Sequence, residues 1–572
     1  MKTLFMLLVI CVVASAPLGN VVISGTVLDS MSGLPITGVN VKMATPLCST
    51  LTDKAGKFSL AIITSSVKNP TAKPVWNHQE GLSFSGSDKA QIDLLNLSGA
   101  IVVSTVSAKT GWINLLPGIY LARIRDEGRT NSFKFMNVKS GFQIFQNETK
   151  AHWLAKSMAS SYAISFQKTG YSPASQTASG SDSITQRLMP IVPPAYPFPQ
   201  NFKGKYFTLP TTYDNEKVRA AYLEWKDRTV TSDGAGTFLR VKKPNSGTVI
   251  GSTVSEGIGY GMILAVYMSD QELFDGLWKY EQIHRDGNGL MNWEIGPDGK
   301  TTAAGAGAAT DGDEDMAWAL VMADRQWGGK GTLPDTYLEY AKQLIELIGT
   351  YEVDQTRGNM LKPGDQWGNT DITNPSYFAP AYYRVFGQVT GKVDFWNKVI
   401  TRNYDILELS LNAASGNTTN GLVPAWCNSS GVPVLAFGGA PLYFQNDASR
   451  MPFRIGQDYC YFGELRAKSY LAKITQFYVD VGVANIVDGY DLNGTPHPDK
   501  AVGGAQAASF VGPAGVGAMS DPTFQPFLDA TYAAVATLNL TAGTIYYQKS
   551  WTALSLLMMT GSLVDFTQLP AK

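Results

Sequence analysis

The pattern of apolar positions divides the chain into two parts of different period. Ahead of about residue 190, stretches 21–27, 39–43 and 58–62 alternate apolar and polar or run apolar, with turn formers at Gly33, Pro35, Gly38 and 53–56 between them. This predicts an all-β region over 20–190. The run PIVPPAYPFP at 190–199 reads as a stiff linker over 190–200. Beyond it the spacing becomes helical at 217–225, 258–268, 272–283, 316–327, 337–348, 380–386, 395–411, 464–481, 527–538 and 551–559. About ten to twelve helices separated by Gly- and Pro-rich loops fit a closed helical toroid with one face built from long loops.

Composition narrows the partners. With 46 Lys+Arg against 47 Asp+Glu the formal charge is −1. The basic surplus on which nucleic-acid and electrostatic membrane binding depend is missing. A charged fraction of 16% beside 56 Gly, 12 Trp, 26 Tyr and 25 Phe suits a surface of loops and aromatic platforms, as in sugar binding. Lys2, the apolar run 4–13 and Ala14-Ser15-Ala16 have the form of a secretory signal over 1–16, with Pro17 leaving the cut site open. The run is too short to span a bilayer, and no other stretch reaches the ~18 apolar residues a spanning helix needs. Export is therefore expected, to the medium or the cell surface, with no membrane span and no nucleic-acid partner. Cys11 lies in the signal, and Cys48, Cys427 and Cys460 are too few for a disulfide framework. The four histidines are scattered without ligand spacing, and no nucleotide-binding glycine loop is present, so neither a metal nor a cofactor is expected.

Three acidic clusters carry candidate chemistry. In TVSEGIGYGM, Thr253 and Glu256 have capping-box spacing. The three glycines that follow cost helix propensity of about 1 kcal/mol each, which points to a close approach of backbone or ligand. In ATDGDEDMAWAL, Asp313, Glu314 and Asp315 fit an acidic first turn facing the helix dipole, whereas Asp311 before a glycine reads as projecting from the loop. In QNDASRMPFR, Asp447 and Arg450 are three apart, so an ion pair across one helical turn is expected. Asp458 and Asp488 remain rival acids on this reading.

At the N-terminal end, ISGTVLDSMSGLPITGVNVKM and TDKAGKFSL resemble the carboxypeptidase regulatory-like sandwich, and ISFQKTGYSPAS with SITQRLMP resembles its end. LLPGIYLARI between them resembles the sandwich modules of bacterial secretion-sorting ends. The resemblance implies one β-sandwich interrupted by a second β module at about 72–150. Such modules bind glycan or cell-surface components.

Over 196–572, the motifs SEGIGYGM, NGLMNWEI, GAATDGDEDMAWAL, LKPGDQWG, NPSYFAPAYY, GLVPAWC and NDASRMPFR follow the order and spacing of glycoside hydrolase family 8. This region resembles the family's bacterial endoglucanases. The resemblance implies an all-α (α/α)6 toroid that hydrolyses β-1,4-glycosidic bonds with inversion. It places Glu256 on the general acid, Asp447 on the general base with Arg450 as its orienting partner, and Asp311 on the acid that grips the distorted sugar. Tyr377 falls near the attacking water, and Trp293 and Trp367 on sugar platforms. Of the tail pair Tyr546-Tyr547, Tyr547 falls on a sugar contact. Asn446 stands where endoglucanase relatives carry an aromatic residue. The expected activity is an endo-β-1,4-glucanase acting on cellulose-type chains, with xylan or mixed-linkage glucan as alternatives on the same scaffold. A catalytically inactive glycan-binding or surface-assembly protein is the alternative of another class.

Overall fold

The protein is described here by a computed structural model. It covers the strands between residues 9 and 188 with some adjoining turns, and residues 193–368, 370–436, 442–497, 506–540 and 545–570. The chain divides into two compact units, Met1–Ile191 and Val192–Lys572.

In the first unit, strand Val21–Asp29 pairs antiparallel with Lys57–Ser65 and parallel with Ser183–Leu188. Val9–Ala14, within the apolar run read as a signal, is placed as an edge strand beside Lys57–Ser65. A second sheet orders Ala174–Ala178, Tyr162–Gln167, Asn40–Met43 and Cys48–Leu51. Alternating residues of both sheets, among them Ile23, Val27, Phe58 and Leu60 from one and Val41, Met43, Ile164 and Phe166 from the other, share one buried cluster. Segments far apart in sequence thus complete the same two sheets. The intervening chain forms a separate five-stranded sheet, ordered Gly141–Ile144, Arg129–Val138, Gly118–Asp126, Gln91–Leu95, Ile101–Thr105, and a hairpin of Lys73–Asn77 with Gly81–Ser85.

The second unit has twelve α-helices among the described residues. They are α1 (Asn215–Thr229), α2 (Ser255–Tyr267), α3 (Gln271–Gln282), α4 (Thr310–Trp327), α5 (Tyr337–Tyr351), α6 (Pro380–Thr390), α7 (Val393–Ser410), α8 (Met451–Phe462), α9 (Leu465–Val481), α10 (Ala508–Ala518), α11 (Gln525–Ala536) and α12 (Ile545–Met559). Helices α2, α4, α6, α8, α10 and α12 contact one another in turn and close into a ring, and the odd-numbered helices pack around it. This is an (α/α)6 toroid.

The two rings differ in sequence for a physical reason. Outer helices such as α3, α5, α7 and α9 bury one stripe and expose the other face. Inner helices are covered on all sides, so α2, α8, α10 and α12 are buried almost throughout. The periodicity predicted ten helices, the inner α2, α4, α6 and α12 among them, and missed α8 and α10. Pro452 and Gly456 in α8, and Gly512, Pro513, Gly515 and Gly517 in α10, read locally as loop.

Inner helices also crowd. A Cβ on Gly259 of α2 would lie 2.7 Å from the Asp315 Cβ of α4, and one on Gly261 would lie 2.7 Å from Leu277. The glycines after Glu256 thus allow close helix–helix approach. The capping box does not form. Val254 occupies the N-cap of α2, and the Thr253 hydroxyl instead accepts from Arg240 at 2.9 Å. The proline-rich run expected as a linker is docked on the helical unit from Ala195 onward. The backbone N–H groups of Ala195 and Tyr196 donate to Gln326, and the Tyr196 hydroxyl donates to the Pro570 carbonyl at 2.6 Å.

Gly312→Ala tests the α2–α4 contact. Its Cβ would meet the Ser255 carbonyl carbon at 2.7 Å and the Glu256 nitrogen at 2.8 Å, so a loss of about 1–3 kcal/mol in urea unfolding is expected. Gly287→Ala, with nothing within 4 Å of the new carbon, should be close to neutral. Equal effects would remove the close-packing account.

Candidate active site

The N-terminal ends of inner helices converge on one buried cation. Arg450 directly precedes α8, and its side chain is 1% exposed. Its Nη1 donates to Glu256 Oε2 and to Asp311 Oδ2, both at 2.7 Å. Its Nη2 donates to the Ser376 hydroxyl at 2.8 Å and lies 3.5 Å from Asp447 Oδ1. The guanidinium also sits 5.2 Å over the Tyr377 ring. Five of the residues singled out from sequence, Glu256, Asp311, Asp447, Arg450 and Tyr377, are therefore brought together.

The expected ion pair of Arg450 with Asp447 across one turn is present at 3.5 Å, and Arg450 Nε also donates to the Asp447 backbone carbonyl at 3.2 Å, while the short hydrogen bonds of Arg450 go to Glu256 and Asp311. A buried guanidinium spends its donors on the carboxylates most shielded from water, and Asp447, 35% exposed, is the least shielded of the three. Asp311 was read as projecting from a loop, but it lies in the first turn of α4 and is buried.

The rest of that acidic run is buried too, so it is not a solvated turn. The Tyr383 hydroxyl donates to Glu314 at 2.6 Å, and Arg454 holds Asp315 through two bonds of 2.5 and 2.9 Å. Asp313 faces the charges of Glu352 and Glu281, and burial first and these acids second push its carboxyl well up. Burial also raises Asp311 to about 7, the charge of Glu256 adding to the rise and Arg450 opposing it. Inner helices α2, α4, α6, α8 and α10 begin without a side-chain N-cap, whereas α1, α3, α5 and α9 have one. The carboxylates of Glu256 and Asp311 thus sit in first turns where the helix dipole favours negative charge.

Glu256 is 19% exposed and accepts from the hydroxyls of Tyr546 at 2.7 Å and Tyr260 at 3.1 Å. Neither tyrosine was assigned a role from sequence. Tyr260 was legible, being one turn beyond Glu256 on α2; Tyr546, on α12, gave no local signal. Tyr547 is half-buried, and its hydroxyl donates to the backbone carbonyl of Asn446 at 2.9 Å. Trp367 stacks on Trp426, centroids 5.5 Å apart, and Trp426 meets Tyr377 edge-on at 6.3 Å. Trp426 is a support for this aromatic row that the sequence reading did not single out. Trp293 joins the site through its backbone, since its carbonyl accepts from Ser255 N at 3.0 Å, while its indole donates to Ala304 O. The rival acids are engaged elsewhere. Asp458 is held by Arg384 through two bonds and by the Tyr404 hydroxyl, and Asp488 accepts from Ala507 N.

The sequence profile of glycosyl hydrolases family 8 matches residues 207–561, and the chain belongs to this family. It is therefore a glycoside hydrolase. It is similar to Endoglucanase A of Acetivibrio thermocellus, 38% identical over 369 residues, which are 63% of this chain and 74% of that protein. Endoglucanase 2 of Ruminiclostridium josui is 38% identical over 363 residues, 61% of this chain and 72% of that one. Among solved structures, the apo beta-1,3-1,4-glucanase from Paenibacillus sp. X4 superposes with a TM-score of 0.58 at 29% identity, covering 64% of this chain and 99% of its own.

Below the site, burial and the charges of Asp365 and Asp311 push Glu352 up to about 8, against the Thr310 hydroxyl and Lys362. A carboxyl raised in the folded state favours folding below its ordinary value of about 4.3, and that contribution is lost as the pH rises through about 8. Glu352→Gln, which cannot ionise, should therefore melt progressively higher than the parent between pH 5 and pH 9. A gap in melting temperature that stays constant with pH would show that Glu352 does not carry this proton.

Proposed function

We propose that this family 8 hydrolase is a secreted endo-β-1,4-glucanase of the cellulase type, cutting internal bonds with inversion. The observation that carries the reading is the gathering of Glu256, Asp311 and Asp447 around the single guanidinium of Arg450. The endoglucanases at 38% identity support the substrate class. In this reading Glu256, as general acid, gives its proton to the glycosidic oxygen as the bond to the anomeric carbon breaks and the electron pair stays with the leaving oxygen. Asp447, as general base, takes a proton from the water that attacks that carbon from the opposite face. Asp311 grips the sugar at the cleavage point. It meets Glu256 at one nitrogen of Arg450, and burial, with the charge of Glu256 adding and Arg450 opposing, raises the Asp311 carboxyl to about 7.

Tyr377 sits beside the attacking water, and Trp293, Trp367 and Tyr547 line the sugar path, where ring faces stack on pyranose. A mixed-linkage glucan is the second reading, favoured by the similarity to a beta-1,3-1,4-glucanase. Xylan is a third substrate class on this scaffold. The first unit is read as a regulatory-like sandwich over 20–190 with a β module inserted at about 72–150, contacting glycan or cell-surface components. Residues 1–16 are read as a cleaved signal, 190–200 as the connecting segment and 196–572 as the catalytic domain. Cleavage of the signal would take Val9–Ala14 from the edge of its sheet and leave the inner strands paired.

Glu256→Gln and Asp447→Asn should each lower turnover on carboxymethyl-cellulose by about 10²–10⁴-fold while oligosaccharide binding persists. If Asp458→Asn or Asp488→Asn were the variant that stops hydrolysis, the base is misassigned. Proton NMR of the first product should show the inverted anomer; early retention would exclude the two-carboxylate mechanism. Parallel assays on carboxymethyl-cellulose, barley glucan, xylan and chitosan rank the substrates.

The basic limb of kcat should fall near the pH of about 7 at which Asp311 gives up its proton. Turnover that stays flat to pH 9 would show that the Asp311 proton is not needed for turnover.

A further inference from the structure

The base of an inverting glycosidase must hold its carboxylate ionised and aimed at a water, and the expected partner Arg450 reaches the Asp447 carboxylate only at 3.5 Å. Arg450 uses Nη1 on Glu256 and Asp311 and the short bond of Nη2 on Ser376. Its Nε donates to the backbone carbonyl of Asp447 at 3.2 Å, and the carboxylate itself receives only the 3.5 Å contact. Asp447 does not cap the turn that follows it, because its side chain accepts from no backbone N–H there. One short bond to the carboxylate remains. Gln445 Nε2 donates to Asp447 Oδ2 at 2.8 Å, and Asp447 N donates back to Gln445 Oε1 at 3.3 Å.

We propose that Gln445 is the positioning residue of the general base, holding one oxygen of Asp447 so that the other is presented to the attacking water. The proposal rests on Asp447 being the base.

The backbone around Gln445 is suited to the task. Phe444 exchanges two 3.0 Å hydrogen bonds with Tyr490, and Ser449 N donates to the Gln445 carbonyl at 2.9 Å, so the chain is held on both sides of the amide. The Tyr547 hydroxyl secures the Asn446 carbonyl between Gln445 and Asp447. The reciprocal pair of bonds fixes the plane of the Asp447 carboxylate from a rigid support, leaving Oδ1 with only the long Arg450 contact. The chemistry of the donor also fits. A carboxamide N–H favours the ionised carboxylate, yet it is neutral. It therefore orients the base without placing a formal positive charge in short contact with it. The arrangement divides the donors by task. The short bonds of the cation go to Glu256 and Asp311, and that of the amide goes to the carboxylate that must accept a proton.

The test uses the full-length protein with cellopentaose. Gln445→Met keeps the shape and removes the donor; Gln445→Glu replaces it with a second acid. In both variants kcat should fall by about 10- to 100-fold, as for a misplaced reacting group, with KM within about twofold of the parent. Melting temperatures should stay close to the parent. A kcat within twofold of the parent overturns the proposal. So does a fall in kcat accompanied by a lower melting temperature and a KM changed in proportion, since that is the mark of a structural role. Asp447→Asn is measured alongside. If it retains turnover, the base assignment fails and this proposal with it. If it is inactive while both Gln445 variants turn over normally, only the role of Gln445 is lost.

Discussion

The guanidinium of Arg450 lies buried where the first turns of α2 and α4 meet the start of α8, and three carboxylates draw on its one positive charge. A cation so enclosed is stable only with anions against it, and removing a partner from such a group costs about 3–5 kcal/mol. One positive charge cannot balance three ionised carboxylates in a water-poor site. The imbalance is relieved by a proton, which Asp311 holds up to about 7. Asp447 is partly exposed and is served by the Gln445 amide.

The toroid exists around this cluster in a definite sense. Six inner helices bring distant segments to one centre, and they approach closely only because residues such as Gly259 and Gly312 carry no Cβ. Most of these helices begin without a side-chain cap, so their first N–H groups and dipoles act on whatever lies at the mouth. Here that is a set of acids. Behind the first turn of α4, Arg454 pairs with Asp315 and Tyr383 holds Glu314. The acidic segment is thereby anchored on several sides, and a shift of the inner helices would reach Asp311 directly. Stability and the geometry of the site share the same contacts.

Helices with one wet face were legible from spacing alone, as α5 and α9 show, because solvent selects polar residues at regular intervals. Helices α8 and α10 were not, since their prolines and glycines read locally as loop and are tolerated only where neighbouring helices compensate. Among site residues, Glu256, Asp311, Asp447 and Arg450 could be picked out as polar groups in unusual local settings and through the family motifs. Their wiring could not. The three-residue spacing pointed Arg450 at Asp447, and that ion pair forms at 3.5 Å, but spacing gave no sign of the better-shielded carboxylates on other helices that take its short bonds. The glycines after Glu256 pointed to close approach, but not to what approaches.

The sequence by itself determined the helical class of the second unit, the family to which it belongs and which side chains stand in its acidic motifs. These depend on local period and on residue identity at fixed spacing. Only the tertiary structure decided that one guanidinium serves Glu256 and Asp311 together, that Tyr546 and Tyr260 hold Glu256, and that an amide makes the short bond to the Asp447 carboxylate. Charge balance and desolvation act between groups up to about 290 residues apart in the chain. They come into force only when the inner ring closes and water is excluded from its mouth.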